Sequence, residues 1–226
     1  MDESRTEIPL SGGRTTPGVV RVGDTVRKPA TDNSAFIAGL LEHLAASGSD
    51  FSPEFSGFDD RGRIVLGYID GTVPRDLSIF HDQTLKGAAR LIRRFHDLSS
   101  EYANVDAEVV CHNDLSPCNF VFRDDAPVAI IDFDAAAPGT RAHDLGYAAW
   151  LWLDLGSPKI DAVEQRRRLD AFLEAYGMCE RTSILEAMLL RQATLIEEGR
   201  RCGDDALSDW ASECKAWIQH NLHTLS

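Results

Sequence analysis

The sequence predicts an α+β fold of two lobes, a small β-rich N-terminal lobe over residues 1–70 and a larger, mainly helical C-terminal lobe over residues 71–226. Short β-type runs and tight turns crowd the first of these segments, whereas apolar residues at helical spacing dominate from residue 143 onward. A turn-forming segment, Gly71 to Pro74, separates the two patterns. With 226 residues, 43% of them hydrophobic, the chain can bury a core without a metal or a disulfide.

The charge balance restricts the class of partner. Acidic residues number 36 against 23 basic ones, for a net charge of −13, which argues against nucleic acid and anionic membranes as partners. The same charge is weakly compatible with a cationic ligand, although a solvated acidic surface accounts for it more simply. No C-x-x-C pair occurs among the five cysteines, and no apolar leader or run of about 20 apolar residues occurs, so we expect a cytoplasmic protein without zinc.

The N-terminal lobe begins with a predicted hairpin. Residues 11–18 hold three glycines and a proline, and residues 19–22 form a β-prone run. After a tight turn at residues 23–25, the run 26–28 returns and ends at Pro29. These residues predict two antiparallel strands with a glycine-rich lip.

One helix and two further strands complete this lobe. Four residues that favour helix N-caps, at 31–34, precede apolar residues at helical spacing, and Gly48 supplies a stop. Strands are predicted at residues 55–58 and 64–69, separated by the turn 59–62.

The C-terminal lobe begins with a helix predicted over residues 82–98 from an apolar stripe at a spacing of three to four. Three short β-type runs follow, at 109–111, 120–122 and 128–131, and the remainder is helical. Trp210 and Trp217 lie on the last apolar stripe and are expected to be core residues.

Polar residues interrupt the β-type runs where buried apolar residues would be expected. Residues 112–119 lie directly between two runs, and Asp132-Phe133-Asp134 ends the next one. Two strands would therefore deliver Asn119 and Asp132 to one end of a small sheet. Carboxylate and amide oxygens are ligands that Mg²⁺ prefers, and Asp114, five residues before Asn119, is free to accept a proton from a hydroxyl group.

The order His112-x-Asp114-x-x-x-x-Asn119, followed thirteen residues later by Asp132-Phe133-Asp134, resembles the catalytic core of the aminoglycoside phosphotransferase family, which has a protein-kinase-like fold. The flanking segments 92–97 and 141–145 are also similar to that family. The resemblance implies a small-molecule kinase, which transfers a phosphoryl group from ATP with Mg²⁺.

The resemblance also implies roles for individual residues. Asp114 would be the catalytic base, or at least orient the substrate hydroxyl, while Asn119 and Asp132 would hold Mg²⁺. His112 would brace the loop as a structural residue. Asp144 would cap its helix and accept hydrogen bonds from backbone amides of the catalytic loop.

The resemblance does not settle the roles of Asp134 and Glu42. Asp134 would touch the metal, the substrate or neither. Kinase-like folds pair a strand cation with a glutamate on the small-lobe helix, and only Glu42, late in that helix, is available. Asn113 also replaces the glycine that the family prefers.

The small lobe would hold the nucleotide. Gly13 and its neighbouring glycines would let backbone amides approach the phosphates, and the backbone of Tyr68 and Ile69 would meet the adenine edge at the hinge. Strand alternation lets only one of Arg27 and Lys28 face the cleft, and the sequence leaves both open, as it does ATP against GTP.

Two other functions compete with this interpretation. A nucleotide-binding pseudokinase is suggested by the doubtful glutamate partner. A metal phosphohydrolase of the His-Asp type is suggested by the pairs His96-Asp97 and His143-Asp144, although that fold is all-helical. The acceptor itself, whether aminoglycoside-like, choline-like or sugar-like, is not determined, and the acidic charge slightly favours a cationic one.

Overall fold

The structure of the chain, a computed structural model, describes residues 6–10, 18–178 and 180–226. Gly13, with the rest of the predicted glycine-rich lip at 11–17, lies outside the described residues. The N-terminal part is a five-stranded antiparallel sheet in the order β1-β2-β3-β5-β4, with one helix. The bounds are β1 (Ile8–Pro9), β2 (Val20–Val22), β3 (Thr25–Lys28), α1 (Ser34–Ala46), β4 (Phe55–Phe58) and β5 (Ile64–Gly67).

The hairpin β2–β3 decides which cation faces the rest of the molecule. Val22 pairs with Thr25, so Gly23 and Asp24 form a two-residue turn, and Gly23 has the positive φ of 60° that such turns require. Successive side chains of a strand point to opposite faces. Arg27 therefore stays on the face of Thr25, to whose hydroxyl its guanidinium donates a hydrogen bond of 2.7 Å, and Lys28 turns inward.

The C-terminal part is mainly helical. Its regular elements are α2 (Asp82–Ser99), β6 (Val109–Cys111), β7 (Phe120–Arg123), β8 (Ala126–Ile130), β9 (Ala137–Gly139), α3 (Arg141–Leu153), α4 (Ala162–Tyr176), α5 (Thr182–Cys202), α6 (Asp205–His220) and α7 (Leu222–Leu225). Single 3-10 turns at Pro117–Asn119 and Phe133–Ala135 form part of the two polar interruptions of the β-type runs.

The expectation that two strands bring Asn119 and Asp132 to one end of a small sheet is confirmed, because Phe120 of β7 lies opposite Ile130 of β8. β7 pairs with β8, whereas β6 pairs with β9, a strand that the sequence did not predict. β9 is three residues long and contains Pro138, which cannot donate a ladder hydrogen bond and so hides the strand from pattern analysis. The strand predicted over 64–69 also ends earlier, at Gly67.

Helix α3 is the centre of the C-terminal core. Its buried face includes the fully enclosed Trp150 and Trp152, and α5 packs directly against it. The close approach depends on Gly146, where an added Cβ would lie 2.9 Å from the backbone nitrogen of Met188 and 3.0 Å from the Cβ of Ala187. An added methyl group could not be accommodated by a change of rotamer, because its nearest neighbour is a backbone atom and the next is the Cβ of an alanine.

A buried polar chain connects α2, α3 and α4. His96 Nε2 lies 3.0 Å from Asp144 Oδ2, and His96 Nδ1 lies 2.8 Å from the hydroxyl of Tyr176. Arg141 donates to that hydroxyl at 3.3 Å. His96 and Asp144 are fully buried, so each depends on these partners for its hydrogen bonds.

Asp144 is the carboxylate at the end of this chain. Burial alone raises the pKa of its carboxyl group, but the hydrogen bond and the charge of His96 outweigh that effect, with help from the backbone N–H of His112. The pKa of Asp144 is therefore held below its usual range, and the group is a carboxylate at neutral pH.

The packing at Gly146 predicts that Gly146→Ala destabilises the protein by about 1–3 kcal/mol, because the new methyl group meets backbone. Gly87→Ala in α2 is the control, since its Cβ would lie 3.4 Å from Pro127 and alanine favours a helix by up to about 1 kcal/mol. Urea unfolding of both variants measures the difference. Equal stabilities would contradict the tight α3–α5 contact.

The lowered pKa of Asp144 predicts an acid-dependent component of stability. That component is present above the pKa of an unfolded Asp, about 3.9, and is lost as the pH falls through the lower folded pKa. We expect Asp144→Asn to lose about 3 kcal/mol in urea unfolding at pH 7 and the deficit to narrow at pH 3. Asp209→Asn, an exposed change on α6, serves as the control, and a deficit independent of pH would contradict the assignment.

Candidate active site

Asp114 lies in the loop after β6, with both carboxylate oxygens engaged. Asn119 Nδ2 donates to Asp114 Oδ2 at 2.8 Å, and the hydroxyl of Tyr147 donates to Asp114 Oδ1 at 3.1 Å. A carboxylate oxygen has room for more than one donor, so the group keeps the capacity to accept from a further hydroxyl. Its direction is fixed by two different elements of the fold.

The orientation of the Asn119 amide is also fixed. Nδ2 donates to the main-chain oxygen of Asp114 at 2.9 Å as well as to its carboxylate, so Oδ1 faces away from Asp114. The main-chain oxygen of Asn119 accepts from the N–H of Ile131 at 2.9 Å. This bond places Asn119 next to the residue that precedes Asp132.

Asp132 lies directly after β8 in a left-handed conformation, with φ 67° and ψ 59°. Its carboxylate contacts the ammonium group of Lys28, which lies 2.7 Å from Asp134 Oδ2 as well. Lys28 is only 7% exposed. Of the two cations that the sequence left open, Lys28 is therefore the one that meets the carboxylates, whereas Arg27 lies 3.8 Å from Asp59 on the other face.

Further contacts join the N-terminal sheet and helix to this loop. Asn33, at the start of α1, donates through Nδ2 to the main-chain oxygens of Asp134 and Ala136, each at 3.0 Å. The sequence presented Asn33 only as a helix cap, and its side chain makes no capping bond. Glu42 is exposed, and the partners described for Lys28 are the two aspartates of the loop after β8.

His112 and Asn113 shape the loop before Asp114. His112 Nε2 donates to the main-chain oxygen of Ile131 at 3.0 Å, and its Nδ1 accepts from the N–H of Asp114 at 3.3 Å. Asn113 has a φ of 64°, the left-handed region in which the preferred glycine of the family would be unstrained. Asparagine tolerates this region best among other residues, and its side chain donates to Ala135 O at 2.8 Å.

Asp144 binds the backbone of the same loop through its carboxylate. Its oxygens accept from the backbone N–H groups of His112 and Asn113, each at 2.8 Å. The expectation that Asp144 caps its helix is wrong, because the N-cap of α3 is Thr140, whose hydroxyl accepts from the N–H of His143. Asp144 lies in the first turn instead, where the backbone of the loop can reach both oxygens.

Sequence reasoning missed Tyr147 and Arg191. Burial, followed by the charge and hydrogen bond of Asp114, raises the pKa of Tyr147, with Arg191 opposing, so the hydroxyl remains a donor at neutral pH. The Arg191 guanidinium lies 5.0 Å from the centre of the Tyr147 ring and 3.5 Å from the main-chain oxygen of Asn113. No local pattern singles out either residue, because both helices carry several polar residues and the pairing of Tyr147 with Arg191 is long-range.

The predicted hinge residues differ in their backbone contacts. The N–H of Tyr68 donates to Asp24 O at 2.9 Å, and the Arg21 guanidinium covers its ring at 3.6 Å. Within the described ranges, the backbone of Ile69 has no hydrogen-bond partner. Among the described residues, both backbone groups of Ile69 and the carbonyl oxygen of Tyr68 are therefore available to a ligand.

The donor set suits a hard cation that also binds phosphate. Among the described residues, neither Asn119 Oδ1 nor Asp132 Oδ2 has a hydrogen-bond partner, and both are oxygens of the kind that Mg²⁺ takes. The carboxylates of Asp132 and Asp134 meet one ammonium group, so this corner has an excess of negative charge. The residues present therefore fit Mg²⁺.

The phosphohydrolase alternative is wrong, because it requires an all-helical fold and this chain contains the strands β1 to β9. His96 and Asp144 are buried within the polar chain, and Asp97 pairs with Arg93 and Arg141. The part of the chain that the structure describes holds no group of three or more His, Cys, Asp or Glu residues that could bind a metal ion.

None of the described helices is long and apolar enough to cross a lipid bilayer.

Comparison with known proteins agrees with this geometry. Residues 49–183 match the model of the phosphotransferase enzyme family (APH). The chain is 25% identical to a trifolitoxin immunity protein of Rhizobium leguminosarum bv. trifolii, covering 97% of each chain.

Solved structures show the same fold at low identity. A GDP complex of an aminoglycoside 2'-phosphotransferase superposes with a TM-score of 0.65 at 15% identity, covering 98% of this chain and 94% of that one. A choline/ethanolamine kinase family protein from Mesorhizobium loti gives 0.64 at 17% identity, covering 99% and 93%. The fold is therefore the kinase-like one that the sequence predicted.

The family match spans more than half of the chain and includes the loops that carry Asp114, Asn119 and Asp132. The small antiparallel sheet and helical C-terminal part of this chain superpose on those solved structures over nearly its whole length. The chain belongs to the phosphotransferase enzyme family and is a small-molecule kinase of that family.

Proposed function

We propose that this chain transfers the γ-phosphoryl group of a purine nucleoside triphosphate, with Mg²⁺, to a hydroxyl group of a small molecule. The observation that carries the proposal is the pair of polar loops held together by Asn119. One loop presents Asp114, the other presents Asp132, and Lys28 reaches the second loop from the sheet. ATP is the expected donor and GTP the alternative, since solved neighbours are complexes with GDP, ADP and ATP.

The nucleotide would lie between the sheet and the loop after β8. Lys28 presents a buried ammonium group there, and such a group binds phosphate oxygens as a point charge. The backbone of Ile69 would meet the purine edge. Gly13, which we also propose near the phosphates, belongs to the segment outside the described residues.

Asn119 and Asp132 would hold Mg²⁺ through the two oxygens that lack partners among the described residues, with Asp134 next to them. When bound, the ion neutralises the charge of the phosphate oxygens. His112 and Asp144 would act as positioning residues, because they hold the backbone of both loops and are themselves buried.

Asp114 would orient the acceptor hydroxyl and accept its proton. In the transfer, the acceptor oxygen forms a bond to the γ-phosphorus while the bond from that phosphorus to the β–γ bridging oxygen breaks. The nucleoside diphosphate leaves with that electron pair, and the hydroxyl proton passes to Asp114. The hydrogen bonds from Asn119 and Tyr147 keep the carboxylate aimed at the same point throughout.

The biological role of this transfer has two candidates, metabolism and protection against a toxic compound. The relative that covers 97% of this chain is a trifolitoxin immunity protein, which supports protection. Choline/ethanolamine kinase-like and aminoglycoside-binding neighbours support acceptors of different kinds. Both roles use the same chemistry at Asp114.

Nucleotide binding predicts a magnesium-dependent thermal shift. At about 100 times its dissociation constant, MgATP or MgGTP should stabilise the protein by about 2.7 kcal/mol, a shift of a few degrees in Tm. We expect EDTA to reduce the shift and Asp132→Ala to remove it, whereas Asp209→Ala, an exposed change, preserves it. A full shift in Asp132→Ala would contradict the metal assignment.

Removal of the positioned base predicts a loss of turnover without a loss of nucleotide binding. Asp114→Ala should lower phosphoryl transfer by at least about 100-fold, while the MgATP thermal shift stays as in the wild type. Transfer is followed by nucleoside diphosphate release with a panel of small alcohols. An unchanged rate in the variant would show that Asp114 is not the base.

A further inference from the structure

Arg191 stands at the acceptor side of the proposed site. It lies on α5, and its guanidinium covers the ring of Tyr147, whose hydroxyl donates to Asp114. One tyrosine ring therefore separates this cation from the proposed base. The bond from Arg191 to Asn113 O is long, at 3.5 Å, so it leaves most of the five guanidinium N–H donors uncommitted.

Among the described residues, Arg191 differs from every other arginine that is not exposed. Each of the others lies within 4.0 Å of a carboxylate, and Arg191 has no such neighbour. The paired set comprises Arg21, Arg27, Arg63, Arg93, Arg141, Arg166, Arg168 and Arg181. In a chain with 36 acidic residues, an arginine left without a carboxylate beside the catalytic loop is a local exception.

Local charge outweighs net charge in selecting an acceptor. The net charge of −13 is spread over the whole surface, and salt screens exposed charges beyond about 8 Å. The guanidinium of Arg191 is partly buried and lies over the ring of Tyr147, whose hydroxyl donates to the proposed base, so its field would be screened less at an acceptor bound to Asp114. A cationic acceptor would meet this positive charge directly, and its binding would be opposed.

We propose that Arg191 recognises an acidic group of the acceptor, so that the substrate class is a hydroxy acid, a small molecule with a hydroxyl group and a carboxylate or phosphate. This inference rests on the proposed function, because Asp114 must receive the hydroxyl. A guanidinium binds both kinds of acidic group through two parallel hydrogen bonds. Arg191 is then a specificity-determining residue.

The experiment compares three acceptors of equal chain length, 4-hydroxybutyrate, 1,4-butanediol and 4-aminobutan-1-ol, with glycerol 3-phosphate as the phosphate probe. Phosphoryl transfer to each is measured at saturating MgATP for the wild type, Arg191→Gln, Arg191→Lys and Arg201→Gln. Arg201 is an exposed arginine of the same helix and provides the matched control. The carboxylate and phosphate probes distinguish the two sources of acidic group.

We expect kcat/KM for an acidic probe to exceed that for the amine by at least about tenfold. Arg191→Gln should lower kcat/KM for the acidic probe by roughly 10- to 100-fold, mainly through KM, and should lower that for the diol much less. Arg191→Lys should recover part of the loss, and Arg201→Gln should resemble the wild type. A purely structural role would lower transfer to all acceptors alike and would leave the preference for acid unchanged.

The outcomes separate this inference from the proposed function. Transfer to the amine or the diol as efficient as transfer to the acids overturns the hydroxy-acid assignment and leaves the kinase assignment standing. An equal loss for all acceptors in Arg191→Gln also overturns it, in favour of a bracing role at Asn113. Absence of transfer to all four probes, with no magnesium-dependent nucleotide shift, would falsify both proposals together.

Discussion

The geometry of the proposed site depends on one buried carboxylate. Asp144 lies inside the protein, yet its pKa is lowered, because His96 and the backbone of His112 and Asn113 supply donors to the charged form. A side-chain donor can be lost when the side chain changes rotamer, whereas a backbone N–H group can move away only if the loop itself moves. The carboxylate therefore fixes the path of the chain two residues before Asp114, and the direction of the base follows from that path.

The second constraint is conformational. Asn113 and Asp132, in the loops that carry the proposed base and metal ligand, have positive φ angles of 64° and 67°. Non-glycine residues hold this conformation only where surrounding contacts compensate for it. Here the compensation is the side-chain bond of Asn113 to Ala135 and the ammonium group of Lys28 against Asp132. Hydrogen bonding at Asn113 and charge at Asp132 thus hold these two positions in the left-handed conformation.

Local patterns in the sequence were sufficient for the two-lobe architecture and for the polar loops after β6 and β8. They were insufficient where the deciding contact is between distant segments. Strand alternation allows either Arg27 or Lys28 to face inward, and only the contact of Lys28 with the loop after β8 decides between them. Likewise, the hydroxyl of Tyr147 donates to Asp114, which lies 33 residues away in the sequence. The periodicity of α3 cannot indicate a contact between such distant residues.

Some of the contacts between the N-terminal part and the helical part are polar and lie at the proposed nucleotide site. Lys28 contacts Asp132 and Asp134, and Asn33 holds the main chain of Asp134 and Ala136. Phosphate oxygens would compete with the carboxylates for the ammonium group, and a cation at Asp132 would compete with Lys28 for the same carboxylate. If both bind as proposed, nucleotide and metal would exchange partners in one shared network, so each should bind more tightly in the presence of the other. The polar contact between the two parts of the fold would in this way also couple the two ligands.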